Sequence, residues 1–138
     1  TKTYRNLEHY GNPEKILNDV EKQIRRRILL QTKTLILTPR YLVELSDDIC
    51  AIIPLPEVLW IYDHAAMRRT IKGRQLSYTI HVVTMKGEEY TLTGKSHREV
   101  SAIYHELNTR YPNFFFGYSK EHQEMVQYVL HEMKNEKA

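Results

Sequence analysis

The chain has 138 residues, of which 41% are hydrophobic and 27% charged, and its formal net charge is +3. That length fits one domain with a core that needs no disulfide or metal, and the composition excludes wholesale disorder. The mild basicity is too small and too dispersed for a dedicated nucleic-acid binder.

Residues 1–10 are polar and without period, and read as an N-terminal arm. A helix is expected over 11–27. Asn12 suits the N-cap, Pro13 the first helical position and Glu14 the positive end of the dipole, while Ile16, Leu17, Val20 and Ile24 form one apolar stripe. Arg25, Arg26 and Arg27 close it, where cations are favourable.

From Ile28 the period shortens, and residues 28–93 read as strands. Thr34–Leu37 and Tyr41–Leu45 flank Pro39; Ser46-Asp47-Asp48 forms a turn cluster, and Ile49–Ile53 resumes. Pro54 and Pro56 make an interior ladder position there unfavourable. Val58–Tyr62 is apolar on both faces, as in a central strand. A polar, basic connection is expected from Arg68 to Gln75. Leu76–Val83 then alternates clearly and pairs, across Lys86-Gly87, with Glu88–Thr93 as a hairpin.

Ser96 and Glu99 make an S-x-x-E capping box that opens a helix over 96–111, ended by Pro112. Phe114–Gly117 is expected to insert between layers. Ser119 caps a last helix over 119–136, with Lys134–Ala138 fraying. No repeat or linker divides the chain, so a single domain is expected. Strands first and helices last imply an α+β fold: a strongly bent antiparallel sheet of about six strands, with Leu35, Leu37, Trp60, Tyr78, Ile80, Val82 and Leu92 in its core. The helix over 96–111 should cover it, with Ile103 and Leu107 facing inward.

No motif carries complete chemistry. Thr93-Gly94-Lys95-Ser96 imitates the end of a phosphate-binding loop, but Glu89 stands where that loop needs a glycine. Gly94 as a turn residue and Ser96 as a cap explain the string, leaving Lys95 beside helix N–H groups as a weak anion point. Gly117-Tyr118-Ser119 lacks the second glycine of a nucleophile elbow, since Glu121 occupies it. Cys50, the single cysteine, sits in an apolar strand as a small hydrophobe and cannot form an internal disulfide, which fits a reducing compartment. The seven histidines lack metal-ligand spacing, so neither a metal nor a cofactor is expected, although His81 stands out. Asp63-His64 adjacency is weak, because strand neighbours point to opposite faces.

Arg68, Arg69, Lys72 and Arg74 remain as the candidate binding residues, in a stretch free of acidic residues from His64 to Lys86. An exposed charge run is usually only solvated, and its functional reading is an edge for an anionic membrane surface or an acidic partner.

Strands followed by an amphipathic helix resemble the pleckstrin-homology-like (PH-like) superfold. Gly11-Asn12-Pro13-Glu14, Leu37-Thr38-Pro39-Arg40-Tyr41-Leu42, Val58-Leu59-Trp60-Ile61-Tyr62 and Gly117-Tyr118-Ser119 look similar to an uncharacterised bacterial family. That resemblance implies membrane helices ahead of a PH-like domain, hence a cytoplasmic domain tethered to the inner face of the membrane. The sequence begins at Thr1 without methionine and reads as a piece of a longer protein. The functional expectation is a non-catalytic interaction domain. The alternatives are a small hydrolase of unknown substrate, indicated by a concave site bringing together two of Asp63, His64, His81 and Cys50, or a structural oligomerisation domain.

Overall fold

The structure, a computed structural model, describes residues 6–46 and 51–136. It is α+β, with three helices and two four-stranded, mainly antiparallel sheets. Two compact units divide it. One comprises the chain through Pro56 together with Ser101–Tyr111, the other Glu57–Val100 together with the chain from Pro112.

In the first unit, helix α1 (Pro13–Arg26) starts as its sequence dictates. The Asn12 side chain accepts hydrogen bonds from the Glu14 and Lys15 amides at 3.0 and 3.3 Å. Strands β1 (Leu30–Gln31), β2 (Leu35–Leu37), β3 (Tyr41–Glu44) and β4 (Ala51–Pro54) follow in sequential antiparallel order. Their register lines up Ile36, Val43 and Ile52 across three strands, so the three side chains share one face. That face clusters with Leu7, Tyr41 and Val20, and the rest of the α1 stripe (Ile16, Leu17, Ile24) packs against it.

Each such apolar side chain contributes about 1.5–3 kcal/mol when fully buried. The Tyr41 hydroxyl donates to Asp19 at 2.6 Å, tying strand to helix. On the opposite face Leu35, Leu37, Leu42 and Ile53 are equally buried, as runs apolar on both faces require. Pro54 ends β4, an edge strand, where its missing N–H costs least.

The second unit holds β5 (Val58–Thr70), β6 (Gly73–Thr84), β7 (Glu89–Lys95) and β8 (Phe115–Phe116), in the order β7-β6-β5-β8. Helix α2 (His97–Arg110) begins here with its capping box formed in both directions: the Ser96 amide donates to Glu99 at 2.9 Å and the Glu99 amide to Ser96 at 3.2 Å. Helix α3 (Lys120–Glu136) is capped by Ser119, whose hydroxyl accepts from the His122 amide at 3.0 Å. Val126 of α3 joins Leu59, Trp60 and Val83 in a core cluster flanked by Tyr62, Met85, Phe115, Val129 and Leu130.

Ile103 and Leu107 are fully buried, as expected. Of the seven core residues expected, Leu35, Leu37, Trp60, Ile80, Val82 and Leu92 are buried, whereas Tyr78 is only half-buried. Three features differ from the sequence reading. Among the described residues the strands form two sheets rather than one and number eight, the additions β1 and β8 being two residues each and too short to show a period. Phe115-Phe116 is not an inserted connector but a strand parallel to β5, pairing Trp60 with Phe115 and Ile61 with Phe116. The basic connection from Arg68 to Gln75 is almost entirely strand. Cys50 and the Asp47-Asp48 turn lie outside the described residues.

Candidate functional site

β5 and β6 pair without a break from Trp60↔Val83 to Thr70↔Gly73, so they form one long hairpin closed by a two-residue turn, Ile71-Lys72. Gly73 follows that turn at φ 110°, a conformation that costs a residue with a Cβ but not glycine. The Thr70 hydroxyl donates to the Gly73 carbonyl at 2.9 Å and closes the loop.

The register decides what each face of the tip presents. Directly opposed residues share a face, so Met67 lies beside Leu76 and Arg69 beside Arg74 on one side, with Arg68 beside Gln75 on the other. All four sequence-selected residues, Arg68, Arg69, Lys72 and Arg74, therefore gather within the last turn of the hairpin, and all are exposed. Arg69 and Arg74 face each other with Cβ atoms about 4.5–5.5 Å apart, a like-charge pairing that destabilises a ladder. Between Asp63 and Glu88 no acidic residue is available to relieve it.

The tip is also apolar in a way the sequence reading missed. Ile71 at its apex is 107% exposed, Met67 65% and Leu76 55%. Three large hydrophobics on one protrusion, interleaved with four cations, form an amphipathic end rather than a solvated charge run. The signal available in the sequence was the lone Ile71 between two basic pairs.

Nearer the base, the same hairpin carries a row of rings. Trp60 lies 4.4 Å from Tyr62, Tyr62 stacks on His81 at 4.6 Å and His81 on His64 at 5.1 Å. Tyr118 covers the near end, 6.0 Å from Trp60 and 5.4 Å from Tyr62. The Trp60 indole N–H donates to the Gly117 carbonyl at 2.9 Å. His81 Nε2 and His64 Nδ1 are 3.1 Å apart. Burial lowers the His81 pKa, the neighbouring His64 lowers it further, and Glu89 opposes both. Tyr62 is pushed up, first by burial and then by Glu89 and Tyr118.

A depression of about 140 Å³ opens beside this row, lined in part by Trp60, Tyr62, Glu89 and Tyr118. Neither His64 nor His81 lines it. The two histidines are thus in mutual contact across β5 and β6, outside that depression. Among the described residues no group of three or more His, Cys, Asp or Glu gathers to hold a metal.

The remaining motif strings behave structurally. Gly94 takes positive φ at the end of β7, and Ser96 and Ser119 are helix caps. Lys95 is 1% exposed and lies at the wall of a depression of about 230 Å³ that Arg68, Gly94, Ser96 and Glu99 also line. The basic end of α1, Arg25–Arg27, is exposed and lies in the other unit. No helix among the described residues is long and apolar enough to cross a membrane.

The family model of DUF6709, a domain of unknown function, matches residues 13–126, and the chain belongs to that family. No curated protein and no solved structure matches it.

Proposed function

We propose that the chain is a non-catalytic interaction domain whose β5–β6 hairpin tip docks on an anionic phospholipid surface. The observation that carries this reading is the cross-strand opposition of Arg69 and Arg74 below a fully exposed Ile71. A lipid phosphate between the two guanidiniums turns a repulsive pair into two charge-assisted contacts, and Ile71 reaches the apolar layer just beneath the headgroups.

The magnitudes favour a weak, reversible contact. Each Arg or Lys adds about 1 kcal/mol near an anionic surface, and burying an isoleucine side chain adds roughly 1.5–3 kcal/mol. Orientation and immobilisation offset part of that sum. Such an affinity is useful to a domain held beside the membrane, because a short linker supplies an effective concentration in the millimolar range.

The reading accordingly includes a cytoplasmic domain of a membrane-tethered bacterial protein with a PH-like architecture. Support for the architecture comes from the succession of antiparallel strand pairs ahead of the 14-residue helix α2. Fold alone does not confer lipid binding, so the weight rests on the tip. A catalytic reading has less support: the His64–His81 contact stands outside that depression.

The test is co-sedimentation with phosphatidylcholine vesicles, with and without phosphatidylglycerol. Binding should require the anionic lipid and should fade as salt shortens the screening length from about 10 Å at 0.1 M to about 3 Å at 1 M. Changing Arg68, Arg69, Lys72 and Arg74 together to glutamine should abolish it. Equal binding to both vesicle types, or an unchanged variant, would contradict the proposal. Retained binding to an acidic protein alone would point to a protein partner instead.

A further inference from the structure

The geometry points to a two-histidine site for a divalent transition-metal ion on the hairpin, formed by His64 Nδ1 and His81 Nε2. This inference does not depend on membrane docking. His64 pairs with Thr79 and Tyr62 with His81, so the two histidines are diagonal neighbours on one face of β5 and β6. Two imidazoles bound to one ion at about 2.0–2.1 Å place their nitrogens about 3.3 Å apart at a tetrahedral angle and about 2.9 Å apart at a right angle. The observed 3.1 Å lies between these values, so an ion can enter with small ring rotations and no backbone movement.

The spacing is held by structure rather than by chance side-chain placement. Both strands are locked in a continuous ladder, and Tyr62 stacks on His81 at 4.6 Å. At present one of the two facing nitrogens carries the hydrogen of their contact. That ring moves to its other tautomer, leaving Nε2–H on His64 and Nδ1–H on His81, and both facing lone pairs turn to the ion. Imidazole donors suit copper, nickel and zinc rather than calcium or magnesium. With no group of three or more ligand-type residues among the described residues, the other coordination positions stay open to water or to a donor from outside. An open, exchangeable site of this kind differs from a closed structural one.

Reading the chain for ligand spacing alone does not find this pair, because the two residues are 17 positions apart and meet only across the hairpin.

Trp60 is the single tryptophan of the chain, and its ring is linked to His81 through Tyr62, so it reports directly. Copper(II) or nickel(II) titrated into the protein should quench its fluorescence saturably, with one ion per chain. Loss of groups that merely support a ligand costs about 10–100-fold in metal affinity, so His64→Ala and His81→Ala should each weaken binding at least tenfold. His131→Ala, on the exposed face of α3, should leave it unchanged. The copper(II) paramagnetic resonance spectrum should show two nitrogen donors in the wild-type protein and one in either variant. Circular dichroism verifies that the variants are folded. Titrations of His64→Ala and His81→Ala that match the wild type would overturn the site, as would equal weakening by His131→Ala.

Discussion

Trp60 combines three roles that are separable by measurement. It is buried in the second unit's cluster, its indole N–H is bonded to the Gly117 carbonyl, and it begins the ring row along β5. Removing a side chain of this size from a packed cluster costs about 3–5 kcal/mol. Trp60→Ala should lower stability in chemical denaturation by that amount, and a loss below about 1 kcal/mol would contradict its place in the core. The tyrosines give a second prediction at this scale. Tyr41 is raised well above its ordinary value by burial, then by its hydrogen bond to and the charge of Asp19; Tyr62 and Tyr111 are also raised, burial being the largest cause in each. A pKa raised in the folded state means that the folded protein holds its proton more tightly than the unfolded chain. This stabilisation is complete below about pH 10, the unfolded value, and is lost as pH rises toward the folded values. Stability should therefore fall in alkali, and ultraviolet absorbance should show Tyr41, Tyr62 and Tyr111 ionising above the ordinary tyrosine range. Tyr41→Phe should reduce the alkaline loss at a cost of about 1.5–3 kcal/mol at neutral pH, the range for a hydrogen bond to a charged group.

Among the elements, the β5–β6 hairpin makes the sharpest distinction between stability and binding. Arg69→Glu places opposite charges across the ladder, where such a pair is worth about 0.2–1 kcal/mol. The variant should be as stable as the wild type or more so, by thermal or denaturant unfolding, and yet lose vesicle binding. Reduced stability together with reduced binding would mean that the arginine pair is structural.

The hairpin also shows how far sequence reasoning reaches. The caps at Asn12, Ser96 and Ser119 were legible because one short side chain bonds an amide two or three residues ahead. The alternation from Leu76 to Val83 was legible although burial reaches only Ile80 and Val82 on its apolar face, Leu76 being exposed. Residues 65–75 gave no such signal, because a tip exposed on both faces has no buried side to impose a period. The four basic residues could still be chosen by their charge. The juxtapositions that give them meaning, Arg69 with Arg74 and His64 with His81, arise from register and are invisible to spacing along the chain.

At the scale of the whole molecule, a formal net charge of +3 is too small to draw the protein to an anionic surface by itself. Docking must come from a local concentration of charge. Among the described residues two candidates stand out, the hairpin tip and the Arg25–Arg27 end of α1; the tip adds Met67, Ile71 and Leu76 at 55–107% exposure, whereas the helix end adds Ile28 at 38%. Membership of the DUF6709 family covers residues 13–126, so both lie inside the shared domain. The central claim is that the tip makes the contact. It is tested most directly by recording backbone amide NMR signals as phosphatidylglycerol-containing nanodiscs are added. The account predicts intensity loss concentrated between Met67 and Leu76 and greatest at Ile71 and Lys72. Loss centred on Arg25–Arg27, or spread evenly over the chain, would contradict it.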